Sequence, residues 1–130
     1  MSKRKNIAVW SLTIVLALLF LAAGAFKLTG AQEAIDNFHR WGYPDWFRVV
    51  TGVIEVVGAI GLLVPKASWV AAAGLSATML GAIATHLHSG EATKAPLPLA
   101  LLVLLVVVGW ARQPRGRGAA ADPAEASESR

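Results

Sequence analysis

Apolar residues in this chain are gathered into blocks instead of being interleaved with polar ones. The first block, Ile7 to Phe26, contains no charge over 20 residues. As a helix it covers about 30 Å, one hydrocarbon core. A second block runs from about Phe47 to Val64 and stops at Pro65-Lys66. A third runs from Trp69 to about His86, and a fourth, Leu97 to Ala111, is almost wholly Leu, Val and Ala. Spans are expected at about 7–27, 47–64, 68–87 and 95–111, so the pattern predicts an all-α membrane protein built as a four-transmembrane-helix bundle. The basic start and Ala23-Gly24-Ala25 also fit a signal peptide, but the apolar stretch exceeds the roughly 7–15 residues of a signal core, so a retained anchor is expected.

The polar stretches complete the layout. Thr29 to Trp46 is the longest connection, and within it AQEAIDNFHR (Ala31 to Arg40) sets Ala34, Ile35 and Phe38 on one side and Gln32, Glu33, Asp36 and Asn37 elsewhere. This predicts a short interfacial helix in the first outer loop, ended by Gly42 and the Tyr43-Pro44 turn. From Arg112 onward, RQPRGRGAAADPAEASESR lacks apolar periodicity, so residues 1–111 read as one membrane domain and 112–130 as a disordered cytoplasmic tail.

Composition sharpens this picture. Of 130 residues 55% are hydrophobic and 15% charged, against about 25% charged in a soluble domain. The net charge of +4 raises nucleic acid as a partner, but the basic residues flank apolar blocks: Lys3, Arg4 and Lys5 at one terminus, Arg112, Arg115 and Arg117 at the other. That placement marks cytoplasmic helix ends, and no aromatic-and-basic recognition module accompanies it. With Lys66, seven cations fall on the cytoplasmic side, against Lys27, Arg40, Arg48 and Lys94 outside, which predicts both termini inside. Trp10, Trp69 and Trp110 fall at the inner boundary, and Trp41, Tyr43 and Trp46 at the outer one, as aromatic belts require. The absence of cysteine excludes disulfides, thiol catalysis and Cys-ligated metal sites.

The candidate chemistry centres on Glu55, an acid inside the second apolar block. On a helix its face holds Arg48, Thr51, Gly52, Gly58, Ala59 and Leu62, mostly small residues that allow close helix packing, so Glu55 points into the bundle. Side chains lean toward a helix N-terminus. The first span runs outward and the second inward, so Lys27 leans down and Glu55 leans up, with a water or hydroxyl expected in whatever gap is left. Glu55 lies roughly 12 Å below Phe47 at 1.5 Å per residue. His86, near the outer end of the third span, joins them. Lys27, Glu55 and His86 form the candidate polar intramembrane site, for proton handling or a polar ligand, and equally a structural network. Tyr43 and Arg48 are candidate contributors from the outer loop. Gly52 and Gly58 on the second span, and the stripe Ala71, Gly74, Thr78, Gly81, Thr85 on the third, read as helix–helix contact faces. HLHSGE invites a metal reading, but His86 and His88 lie two apart and face nearly opposite ways on a helix, so no metal site is expected.

Five motifs in order resemble the DoxX-like family of small four-helix membrane proteins: GAFKLTG (Gly24 to Gly30), WGYPDW (Trp41 to Trp46), GVIEVVGAIGLLVPK (Gly52 to Lys66), GLSATMLGAIATHLHSGE (Gly74 to Glu91) and the apolar last span. The resemblance covers about residues 5–111 and implies that Lys27, Gly42, Pro44, Glu55, Gly58, Pro65 and His86 occupy the family's recurring positions. It also implies a bacterial inner membrane. The family takes its name from a subunit associated with thiosulfate:quinone oxidation, which implies a membrane subunit or accessory protein that binds quinone or lipid. Such a protein would partner a soluble dehydrogenase or form a homo-oligomer. No other cofactor is evident. A proton-transfer enzyme such as an isomerase, with Glu55 and His86 as acid and base, and an oligomeric transporter are the alternatives.

Overall fold

A computed structural model describes residues 2–114. The chain forms α1 (Lys3–Leu28), α2 (Gln32–Arg40), α3 (Asp45–Leu63), α4 (Ser68–His88), a 3-10 turn (Ala92–Lys94) and α5 (Pro96–Arg112), with no strand among the described residues. Four stretches are long and apolar enough to cross a membrane: α1, α3, α4 and Ala92–Arg112. The protein is an all-α, four-span membrane protein. Of the expected tail, Arg112 closes α5, and residues 115–130 lie outside the described residues.

The helix ends follow local chemistry. Ser2 caps α1 by accepting from the Lys5 amide at 3.3 Å. Tyr43 N–H reaches the Phe38 carbonyl at 2.9 Å, and Glu91 N–H reaches that of His86 at 2.7 Å. Each closes a helix through a glycine of positive φ, Gly42 at 82° and Gly90 at 72°, a backbone that side-chain-bearing residues rarely adopt. The Gly90 turn folds Glu91 back beside α4.

Polarity does not decide which face of α1 is inside, because Ile14, Val15, Leu18 and Leu19 on its exposed side are as apolar as the buried Leu16 and Phe20. Shape decides. A Cβ on Gly24 of α1 would stand 2.8 Å from the Gly52 carbonyl oxygen of α3, so the two backbones touch. α1 packs chiefly on α3 and α4 chiefly on α5. The two pairs join near the Pro65 turn, where Gly58 meets Leu75 and Gly61 meets Ala71. The core of Leu16, Phe20, Leu62, Leu75, Leu105 and Val108 fills the space between them.

The small-residue stripe on α4 departs from expectation. No atom lies within 4 Å of where a Cβ would stand on Gly74 or Gly81, whereas Gly52 and Gly58 both abut a neighbouring helix. Ala71 meets α3, but from Gly74 to Thr85 the stripe abuts no neighbouring helix within the chain. That part of it is a wall of the cavity that opens between the helix pairs at the α2 end.

Candidate functional site

That cavity has a volume of about 700 Å³ and is lined by every helix. Phe20, Ile54, Met79 and Leu101 line it alongside the bare backbone of Gly74 and Gly81, and Lys27, Glu55, Tyr43 and His86 supply its polar groups. Lys27 Nζ lies 2.9 Å from Glu55 Oε1, and the glutamate side chain is only 3% exposed. The contact is direct, without the bridging water or hydroxyl expected. Arg48, on the first turns of α3, donates to the Lys27 carbonyl and fixes the end of α1 that carries the lysine. It braces the pair from behind and does not line the cavity.

Tyr43 Oη lies 2.7 Å from Thr85 Oγ1, and Thr85 Oγ1 is 2.8 Å from the Gly81 carbonyl. A carbonyl can only accept, so Thr85 spends its proton there and Tyr43 is the donor to Thr85. This bond ties the α2–α3 loop to α4 across the cavity mouth. His86 stands edge-on to Trp41, with ring centroids 5.5 Å apart and planes at 86°. Its Nδ1 is 3.6 Å from Glu91 Oε2, an ion-pair distance too long for a hydrogen bond. No group of three or more His, Asp or Glu side chains among the described residues is placed to hold a metal ion.

The DoxX-like family profile matches residues 11–108. The chain belongs to the DoxX-like family. The matched segment contains all the cavity residues and stops short of the basic first turn and of Arg112. The uncharacterized protein YdgD of Bacillus subtilis (strain 168) is 27% identical to the DoxX-like chain over 99 residues, covering 73% of this chain and 87% of the relative. No solved structure matches.

Within this DoxX-like cavity the three sequence-predicted residues form two groups. Lys27 and Glu55 pair with each other, and His86 turns instead to Trp41 and Glu91. Sequence reasoning missed Glu91 as a hub. It accepts from Trp41 Nε1 at 2.9 Å and from Arg40 Nη2 at 3.2 Å, and Lys94 Nζ stands 3.0 Å away. The clamp joins the end of α2 to the loop after α4. Its only sequence signal is an acid directly after a helix-ending glycine.

Hydrogen bonds from Trp41 first, then Lys94 and Arg40, outweigh partial desolvation and bring the Glu91 carboxyl from its ordinary 4.5 down to about 2. A folded value below the unfolded one gives stability that is complete above pH 4.5 and is lost as pH falls toward 2. Thermal unfolding in detergent should show wild type more stable than Glu91→Gln by a constant margin from neutral pH down to 4.5. The margin should shrink below that. A margin that instead vanished near neutral pH would show that Glu91 is not the titrating group of the clamp.

Proposed function

We propose that this protein is a small membrane subunit or accessory protein that holds an amphipathic ligand of the quinone or lipid class in the cavity. The observation that carries the reading is the cavity: about 700 Å³, within the roughly 300–1,000 Å³ of small-molecule sites, apolar along its walls, with an ion pair inside it. An isoprenoid or acyl chain fits the glycine-floored apolar part. The Lys27 ammonium is the donor available to a carbonyl or phosphate oxygen of the head. The basic clusters flanking the first and last spans support an N-in, C-in orientation, under which the cavity would lie in the outer half of a bacterial inner membrane.

Gly81→Leu tests this directly. A Cβ there meets no atom within 4 Å and stands on the cavity wall, and leucine is favoured over glycine in a helix by up to about 1 kcal/mol. The variant should fold at least as well as wild type and lose the small molecule that native mass spectrometry detects on the wild-type chain. A wild-type chain that carries no such molecule, or a Gly81→Leu chain that carries it equally, sinks the reading. An isomerase-type activity is favoured by the same pair, a buried carboxylate beside an amine. For that reading Glu55→Gln should keep ligand and lose turnover.

A further inference from the structure

The two ends of the bundle differ in charge. The acids among the described residues lie at the α2 end, Glu33 and Asp36 on α2, Asp45 at the start of α3 and Glu91 after α4, except Glu55, which sits at the middle of α3 and is paired with Lys27. The opposite end carries Lys3, Arg4, Lys5, Lys66 and Arg112 and no acid among the described residues.

Arg112 is the member of that group held in place. Its guanidinium carbon sits 4.2 Å above the Trp10 ring centroid, which links the last turn of α5 to the second turn of α1. Its Nε and Nη2 are buried and have no hydrogen-bond partner among the described residues, while the residue as a whole is only part-buried. A guanidinium is all donors and stays charged. Fixed at the end of a membrane span with no acceptor, it lacks a counter-anion that the rest of the described chain does not offer. Trp69, 40% exposed, and Trp110, 66% exposed, place the headgroup layer at this end of the bundle.

We propose that Arg112, stacked on Trp10, binds the phosphate of an anionic lipid headgroup, with Lys66 and the basic first turn of α1 adding long-range attraction. Stacking on the ring restrains the guanidinium at the end of the bundle, where the side chain is only part-buried. A phosphodiester oxygen there would receive a charge-assisted bond. Trp10 is thus a positioning residue and Arg112 the contact.

The test is native mass spectrometry of the full chain purified in equal phosphatidylglycerol and phosphatidylcholine. Wild type should retain phosphatidylglycerol in preference. Arg112→Gln should lower the retained fraction about fivefold, the scale of one basic residue against anionic lipid, and Lys66→Gln by less. Trp10→Leu should fall between them. Equal retention by Arg112→Gln and wild type overturns the proposal. So does inorganic phosphate displacing the lipid at matched concentration, which would make the site one for a free anion. The full-length variant with Asp122→Asn, Glu125→Gln and Glu128→Gln provides a further arm. Severalfold greater lipid retention by it would assign the guanidinium to the chain's own C-terminal acids, and unchanged retention supports the lipid. Should Arg112→Gln not fold, Arg112→Lys decides. It keeps the charge but not the planar fork, so retention should drop, and wild-type retention would overturn the site.

Discussion

Gly24→Val should cost the protein about 3 kcal/mol or more, the upper part of the range for overpacking a close contact, and should be the most damaging single glycine substitution in the bundle. A Cβ at Gly24 stands 2.6 Å from Val56 Cγ2, 2.8 Å from the Gly52 carbonyl oxygen and 3.0 Å from the Val56 amide nitrogen. A side chain can swing aside, but two of these three atoms are backbone and move only if α3 moves. Even Gly24→Ala should therefore destabilise, by about 1–3 kcal/mol, although alanine is the better helix former. The effect should spread. Lys27 and Glu55 each lie one turn beyond the touching glycines, Gly24 and Gly52, so a wedge there separates the helices that present the ion pair. Gly81→Ala is the control, because nothing stands within 4 Å of its Cβ and helix propensity alone should act. Reversible unfolding in mixed micelles measures all three. A Gly24→Ala chain as stable as Gly81→Ala would show that α1 and α3 are not in backbone contact.

The contrast between these glycines also shows what was legible beforehand. Long uncharged blocks must cross the bilayer as helices, because no water satisfies their backbone otherwise, and so the spans can be read from the chain. α2 was legible for the same kind of reason: Ala34 and Phe38 repeat at helical spacing and are buried. The meeting of Lys27 and Glu55 follows from antiparallel helices whose side chains lean toward their N-termini. Gly74 and Gly81 abut no neighbouring helix within the chain, and small residues serve two purposes. They let a second helix approach, or they leave room for something that is not a helix, and only the relative placement of the α1–α3 and α4–α5 pairs distinguishes the two. Glu91 was illegible for another reason. Its partners Arg40 and Trp41 lie about fifty residues away, and its direction is set by the positive φ of Gly90, so neither helical periodicity nor local spacing reports the clamp.

Lys27→Met should cost about 3–5 kcal/mol, the penalty for removing one partner of a buried ion pair. Glu55 would be left 3% exposed with no cation beside it, and an isolated acid inside a span is itself costly by about 3 kcal/mol. Glu55→Leu strands a lysine that is 20% exposed and can extend toward the α2 end, so its loss should be smaller. The double variant Lys27→Met, Glu55→Leu removes both charges and should recover most of the deficit, matching wild type or exceeding it by about 1–4 kcal/mol, since apolar replacements of buried pairs are often neutral or stabilising. The cycle therefore predicts strong, favourable coupling between the two positions. Lys27→Met within about 0.5 kcal/mol of wild type, with no coupling in the cycle, would mean that the ammonium is not the partner of Glu55. The double variant also separates structure from function. If the pair only fastens α1 to α3, the double variant folds and keeps whatever small molecule the wild-type chain carries. If the pair receives the head of that molecule, the double variant folds, leaves the apolar walls of the cavity intact and comes off the column empty. The second outcome is expected, because an ion pair kept only for packing has no reason to face a 700 Å³ cavity.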